Sequence, residues 1–479
     1  MKRMRRTKIL ATLGPATDSD EALLALLKAG ADLVRLNFSH GVADAHQQRA
    51  KKVRAYAKQL GKEIGIVADL QGPKIRIAKF KEQKVVLRQE QTFILDAALD
   101  AEQGNNMQVG IDYTALPKDV VAGDILLLDD GRLELEVLQT DGTKITTKVL
   151  VGGELSNNKG INRKGGGLSA NALTEKDRQD LKTAVAIGVD YIAISFPRNA
   201  ADIFEAKELI NAAGGRTAVI AKIERVEAIE AIDEIIAVAD AIMVARGDLG
   251  VEIGDAELPS IQKMIIQKCR ALDKAVITAT QMMESMIHNA IPTRAEVFDV
   301  ANAVLDGTDA VMLSAETASG KHPDKVVSAM ARICMGAEEN RINQISGHRV
   351  ECQFHRIDEA VAMAAMYTAN HFKVKAIIAL TESGSTPLWM SRIRSGIPIF
   401  GLSRHKQARG LMTLYRGVYP IDYDVTTKER TEVHATAVDQ LVKRGLLQNG
   451  DYVLLTRGDY MGVHGGSNTM KILQVGHIL

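Results

Sequence analysis

Eight short runs of Val, Ile, Leu and Ala, at 8–13, 32–37, 65–70, 191–196, 218–224, 241–245, 275–280 and 310–314, recur without polar–apolar alternation. A strand that is apolar at every position is buried on both faces, which marks a parallel sheet rather than an antiparallel one with a wet face. Amphipathic stretches with helical spacing lie between the runs, among them 21–29, 44–60, 175–187 and 258–272. Eight such β-α units predict an α/β protein built on a (β/α)8 barrel. The repeat breaks once, after the third run. From about 71 to 169 the period becomes two, as in "LELEVL" and "KITTKVL", with Asp141-Gly142 as the hairpin turn between them. An all-β domain inserted there overhangs the C-terminal mouth of the barrel and is placed to act as a lid. After a polar stretch at 340–353, "AIIALTESG", "PIFGLSRH", "DYVLLTRGD" and "MKILQV" predict a C-terminal doubly wound α/β domain. The expected division is 1–70 with 170–345 for the barrel, 71–169 for the inserted β-barrel lid and 346–479 for the C-terminal domain.

With 479 residues the chain exceeds one compact core, in keeping with that division. Lys plus Arg (60) and Asp plus Glu (59) nearly cancel, so net charge offers no general attraction to nucleic acid or an anionic membrane. The basic start "MKRMRRTKIL" leads into an apolar stretch that is short and broken by Thr12, Gly14 and Pro15. It is neither a secretory core nor a spanning helix. Cys269, Cys334 and Cys352 show no C-x-x-C spacing, and reduced cytoplasmic thiols are expected.

Barrel enzymes carry their chemistry at the C-terminal ends of the strands. The second run ends in Arg35, Asn37, Ser39 and His40, and the third in Asp69, followed by Lys74 and Arg76. The fifth supplies Lys222 and Glu224, the sixth Arg246 and Asp248, and the last two Thr280 and Ser314. Arg-Gly-Asp occurs at 246–248 and again at 457–459. The first copy sits at the barrel mouth, which disfavours an adhesion role that needs an exported, exposed loop. Glu224 and Asp248, on neighbouring strand ends, are hard oxygen donors without Cys or His and suit Mg²⁺ or Mn²⁺. For one such pair, plain salt bridges to Lys222 and Arg246 are the commoner reading; charged endings on five strands reverse that and favour a site. Arg35, Arg76 and Lys222 around a divalent ion form a phosphoryl clamp. Lys222, apolar-flanked in "VIAKIE", also admits a Schiff-base role. Neither a Walker loop nor G-x-G-x-x-G is present, so nucleotide binding would not use those loops.

"RTKILATLGPAT", "RLNFSHG", "DLQGPKIR", "AKIERVEAI", "VARGDLGVEI", "ITATQMMESM", "PTRAEVFDVANAVLDGTDAVMLSAETASG" and "SNTMKILQV" resemble the pyruvate kinase family, in its order and over nearly the whole chain. The resemblance implies phosphoryl transfer from phosphoenolpyruvate to ADP, giving pyruvate and ATP. It implies Mg²⁺ on Glu224 and Asp248, Lys222 stabilising the transferring phosphoryl and the enolate, and Arg35 contacting the phosphoryl group. Amides around Gly247 and Asp248 would take the substrate carboxylate, and Thr280 would help protonate the enolate through water. Asn37, His40, Arg76 and Lys159 match nucleotide contacts.

Asn37, Ser39, Asp69 and the Leu70 carbonyl match a monovalent-cation pocket. Members that need K⁺ resemble "GPEIR", whereas this chain reads "GPKIR". The Lys74 ammonium would repel a loose cation nearby, so no K⁺ requirement is expected. In "TESGST", the residues Thr381, Ser383, Gly384, Ser385 and Thr386 would offer amides and hydroxyls to the phosphate of an allosteric effector at a helix N-terminus. The loop 457–468 would close over it. AMP, a sugar monophosphate or fructose 1,6-bisphosphate are the effectors the resemblance suggests, the first two for the bacterial branch that this chain resembles, together with a homotetramer. The remaining alternative is a divalent-metal barrel lyase or mutase acting on pyruvate or phosphoenolpyruvate, which would have no use for Lys159 on a lid.

Overall fold

The computed structural model describes residues 4–340, 353–429, 431–459 and 465–477. Cys352, most of the polar stretch at 340–353 and part of the loop 457–468 lie outside the described residues. Strands β1 (Lys8–Thr12), β2 (Leu33–Asn37), β3 (Gly65–Asp69), β4 (Tyr191–Ile194), β5 (Ala218–Ile223), β6 (Ala241–Ala245), β7 (Ala275–Ala279) and β8 (Ala310–Leu313) close into a parallel barrel in chain order. The runs do not alternate because both faces are dry. Ile9 and Ala11 pack toward the surrounding helices, while Leu10 between them joins the interior. Helix boundaries carry their own signals. Thr174 with Asp177 and Thr293 with Glu296 form capping boxes, and Gly188 and Gly307 end the same helices in the left-handed region.

The inserted residues form a six-stranded sheet in the order Ile161–Arg163, Ile125–Leu128, Leu133–Thr140, Lys144–Val151, Thr92–Asp96, Gln108–Gly110. A second ribbon pairs Gly153–Ser156 with Lys84–Leu87. Asp141-Gly142 makes the expected hairpin, with Gly142 at φ 88°. The C-terminal sheet runs Val418–Asp422, Ile399–Ser403, Ala376–Leu380, Tyr452–Gly458, Ser467–Gln474, parallel except for the last strand. Val418–Asp422 holds Pro420, which an edge strand tolerates because it has no donor to lose there.

This domain seals the barrel floor, opposite the mouth. Leu10, Leu33 and Val67 share one core with Met366, Met390 and Met412. Tyr191 Oη donates to Leu411 O at 2.8 Å, and Lys8 Nζ to Val418 O. Arg392 forms an ion pair with Asp309, each side chain about 1% exposed, with Nη1 2.9 Å from Oδ2. Asp309 also accepts the amides of Val276 and Arg416, both at 3.0 Å. Removing one member of a buried pair strands the other's charge. Arg392→Met is therefore expected to cost about 3 kcal/mol in urea unfolding. A loss within error of zero would mean the junction is wet.

Candidate active site

Strand register assembles the site. Asn37 on β2 and Ala193 on β4 both lie opposite Asp69 at the end of β3. Along β5 the period of two puts Ile220 and Lys222 on the interior face, and Glu224 follows in the same phase. The Asp69 carboxylate is 1% exposed and receives two cations. Its Oδ2 lies 2.6 Å from Arg35 Nε and its Oδ1 3.1 Å from Lys222 Nζ. Lys222 Nζ is also 3.0 Å from Glu224 Oε1 and donates to Ser195 Oγ at 2.6 Å. Ser195 Oγ in turn donates to Leu70 O at 2.7 Å. Arg35 Nη1 reaches Thr12 Oγ1 at 3.2 Å, and the Phe196 amide reaches Glu224 Oε2 at 2.9 Å.

Burial opposes the charge on Lys222, but Asp69 and Glu224 outweigh it and hold the ammonium above the usual lysine range. A Schiff base needs a neutral amine, so this environment disfavours that role. Burial likewise presses the Asp69 carboxyl upward, and Arg35 with Lys222 overcomes it, leaving the group below the usual carboxylate range. Burial pushes Glu224 up to about 7, opposed by Lys222 and reinforced by the nearby charges of Asp248 and Asp69.

β6 turns directly into the helix Arg246–Ile253, so the first Arg-Gly-Asp is a helix's opening turn. Arg246 points away from ligand space. Its guanidinium grips Asp299 at 2.7 and 2.8 Å and donates to Thr280 O at 2.7 Å. The Gly247 amide donates to Thr280 Oγ1 at 2.8 Å, and that hydroxyl donates to Ala279 O at 2.7 Å. Thr280 and Gln281 both sit at positive φ, 66° and 54°, a strained turn of the kind that clusters at working sites.

Glu224 and Asp248 fit a divalent cation. Both are hard carboxylates, near enough that one charge shifts the other's acidity. Among the described residues no three His, Cys, Asp or Glu side chains cluster as a metal site. Two carboxylates nonetheless suffice for Mg²⁺, which keeps several positions for water and substrate oxygens.

The residues matched to a monovalent-cation pocket make contacts within the protein. Asp69 holds Arg35 and Lys222, Leu70 O holds Ser195, and Asn37 Oδ1 accepts the Ser39 amide at 3.2 Å. Lys74 Nζ sits 3.0 Å from Asp248 Oδ1. Of the nucleotide residues, Arg76 bridges Gly160, donating from Nη1 to Asn158 O at 2.9 Å, while Lys159 Nζ rests 2.7 Å from Asp129 Oδ1. His40 is exposed at the neighbouring turn.

At the C-terminal cradle, Gly384 adopts φ 86° and its amide donates to Thr381 Oγ1 at 2.9 Å. Ser383 Oγ lies 3.0 Å from Ser385 Oγ, and Thr386 Oγ1 lies 2.9 Å from Ser467 Oγ. Arg404, Tyr423 and Arg457 complete the pocket. Ser195, Asp299 and Thr12 were not singled out from sequence. Only Ser195 carried a signal there, as a polar residue ending the fourth apolar run.

A closed barrel whose mouth gathers Arg35, Lys74 and Lys222 with Asp69, Glu224 and Asp248 beneath an overhanging β unit has the charge arrangement of an enzyme for anionic substrates. Residues 4–327 match the family model "Pyruvate kinase, barrel domain" and residues 359–473 match "Pyruvate kinase, alpha/beta domain". Pyruvate kinase II of Salmonella typhimurium is 56% identical over 478 residues, covering 99% of both chains. The pyruvate kinase of Haemophilus influenzae is 57% identical over 462 residues, covering 95% of this chain and 96% of its own. That of Geobacillus stearothermophilus is 40% identical over 99% of this chain and 81% of its own. The chain belongs to the pyruvate kinase family and is a phosphotransferase.

Glu252, at the joint between the inserted unit and the barrel, supplies a pH test. It is 5% exposed and accepts the Val226 amide at 3.1 Å and Asn162 Nδ2 at 3.4 Å. Burial pushes its carboxyl from an ordinary 4.5 up to about 7. Between those values the folded state keeps a proton that the unfolded state has lost, so this group's contribution to stability falls as pH rises. Glu252→Gln is expected to be more stable than wild type by about 2 kcal/mol at pH 8. The gap in melting temperature should close by pH 5; an equal gap at both would contradict the assignment.

Proposed function

We propose that this chain transfers the phosphoryl group of phosphoenolpyruvate to ADP, with Mg²⁺ or Mn²⁺ held by Glu224 and Asp248. The observation that carries this is the pairing of Arg35 and Lys222 on one buried carboxylate beside Glu224. In the reaction the enol-ester P–O bond breaks, a terminal ADP oxygen takes the phosphorus, and the enolate gains a proton at carbon to give pyruvate. Arg35 binds the phosphoryl group of the substrate. Lys222 holds its charge where the transferring oxygens and the enolate become most negative, and its three fixed partners keep it from reorganising. Amides around Gly247 and Asp248 orient the substrate carboxylate, and Thr280 helps pass a proton through water. When bound, the divalent ion neutralises charge and templates the substrate oxygens.

Asn37, His40, Arg76 and Lys159 bind the nucleotide, the last of these brought in by the inserted unit (71–169) as it closes and excludes water. Lys74 supplies fixed positive charge at the mouth, so K⁺ is not required. Thr381, Ser383, Gly384, Ser385 and Thr386 hold the phosphate of an allosteric effector. The chain works as a cytoplasmic homotetramer; among the described residues no helix is long and apolar enough to cross a membrane.

Pyruvate release measured in K⁺-free Tris buffer tests this. It is expected to depend on both ADP and Mg²⁺, and to change little when KCl is added at constant ionic strength. Turnover without ADP would point to a lyase or mutase, and a many-fold rise with KCl would sink the role given to Lys74. Glu224→Gln is expected to raise the Mg²⁺ needed for half-maximal rate by at least about tenfold.

A further inference from the structure

Beside the pair of Arg392 and Asp309 lies a small cavity of about 20 Å³ whose lining is dominated by guanidinium groups, those of Arg6, Arg270, Arg392, Arg394 and Arg416. Guanidiniums donate and never accept, so several around one space call for carboxylates or for an anion. Two of them are matched. Arg392 has Asp309, and Arg6 has Glu338, with Nε 3.6 Å from Oε2 and the Arg6 amide 3.0 Å from the same oxygen. Arg394 Nη2 donates to Leu305 O at 3.1 Å.

The side chains of Arg270 and Arg416 meet no carboxylate among the described residues. Arg270 Nη2 donates to Arg392 O at 3.3 Å. Arg416 Nη1 donates to Val304 O at 3.2 Å and Thr308 O at 3.1 Å, at the end of the helix Arg294–Asp306, and its Nη2 is buried without a hydrogen-bond partner. Gly307 closes that helix at φ 100°, and a Cβ there would come 3.1 Å from Arg270 Nη1. The bare backbone thus lets a guanidinium lie against the turn. Like charges this close repel. Burial, with Arg394, Arg392 and Arg416 beside it, pushes Arg270 from an ordinary 12.5 down to about 10. Burial takes Arg416 to about 10 as well, with Glu338 opposing and Arg6 assisting. Both groups stay charged at neutral pH, and a negative charge placed among them would relieve the strain on each.

We propose that this cavity is a binding site for a chloride-sized monovalent anion, held between Arg270 of the barrel and Arg416 of the C-terminal domain. About 20 Å³ takes one water-sized occupant, which excludes a phosphate ester or any other large ligand. A water would bring no charge, whereas chloride accepts from several donors and supplies the charge that is missing. The anion ties the two domains together beside the junction that Arg392 and Asp309 fasten. The inference rests on this junction and is independent of the chemistry assigned to the mouth.

Melting of the full-length protein tests the site, with sodium chloride replacing sodium gluconate at constant ionic strength. Gluconate is too large for the cavity, so the wild-type melting temperature is expected to rise with chloride to a plateau. Arg270→Met is expected to abolish the rise and, because it removes a repelled cation, to melt no lower than wild type in gluconate alone. Arg270→Lys keeps the charge but loses the planar fork, and should raise the half-saturating chloride concentration by about tenfold. In crystals soaked in sodium bromide, an anomalous peak is expected between Arg270 and Arg416. No rise in wild type, a rise of equal size in Arg270→Met, or the absence of that peak would overturn the site. A lower melting temperature of Arg270→Met in gluconate would equally overturn it, because Arg270 would then be a cation the protein itself already satisfies.

Discussion

Asp69 is the residue on which the mouth of this barrel depends. Arg35 comes from the neighbouring strand β2 and Lys222 from β5, beyond β4, and two cations this close would repel strongly in a dry site. One carboxylate between them, 1% exposed, makes the arrangement stable in the absence of substrate. It also aims both side chains. The cost of burying Asp69 is offset because neither partner leaves it, and the same contacts keep Lys222 charged. Glu224 is the less comfortable carboxylate: it shares Lys222 and feels Asp248, and burial pushes it up to about 7. A group so placed gains from any positive charge brought beside it.

The opposite end of the barrel uses the same physics for a different purpose. The buried pair of Arg392 and Asp309 fastens the C-terminal domain to the floor, and the barrel interior continues into that domain's apolar face. The barrel mouth and the C-terminal cradle thus belong to one packed body.

Much of this was legible in the sequence, for a physical reason. A parallel barrel buries both faces of every strand, which forces unbroken apolar runs and leaves polar residues only where strands end. The eight runs and the residues Arg35, Asp69, Lys222 and Glu224 follow from that rule. What escaped depended on contacts between distant segments. In the sequence Arg246 reads only as a charged strand end, with Asp248 as its possible salt-bridge partner, yet the chain enters a helix there and Asp299, from another helix, takes its guanidinium. The partner of Lys74 was not legible either: its ammonium pairs with Asp248 across the mouth. Ser195, which positions Lys222, is a small polar residue whose importance appears only once β4 lies beside β5.

The most direct test of this account is the single-turnover rate of phosphoryl transfer from phosphoenolpyruvate to ADP in Lys222→Met, measured with phosphoenolpyruvate binding on the same sample. If Lys222 stabilises charge chiefly in the transition state, the rate should fall by about a thousandfold while binding changes far less. A rate close to wild type would contradict the account, leaving the barrel intact and the chemistry to be placed elsewhere in its mouth.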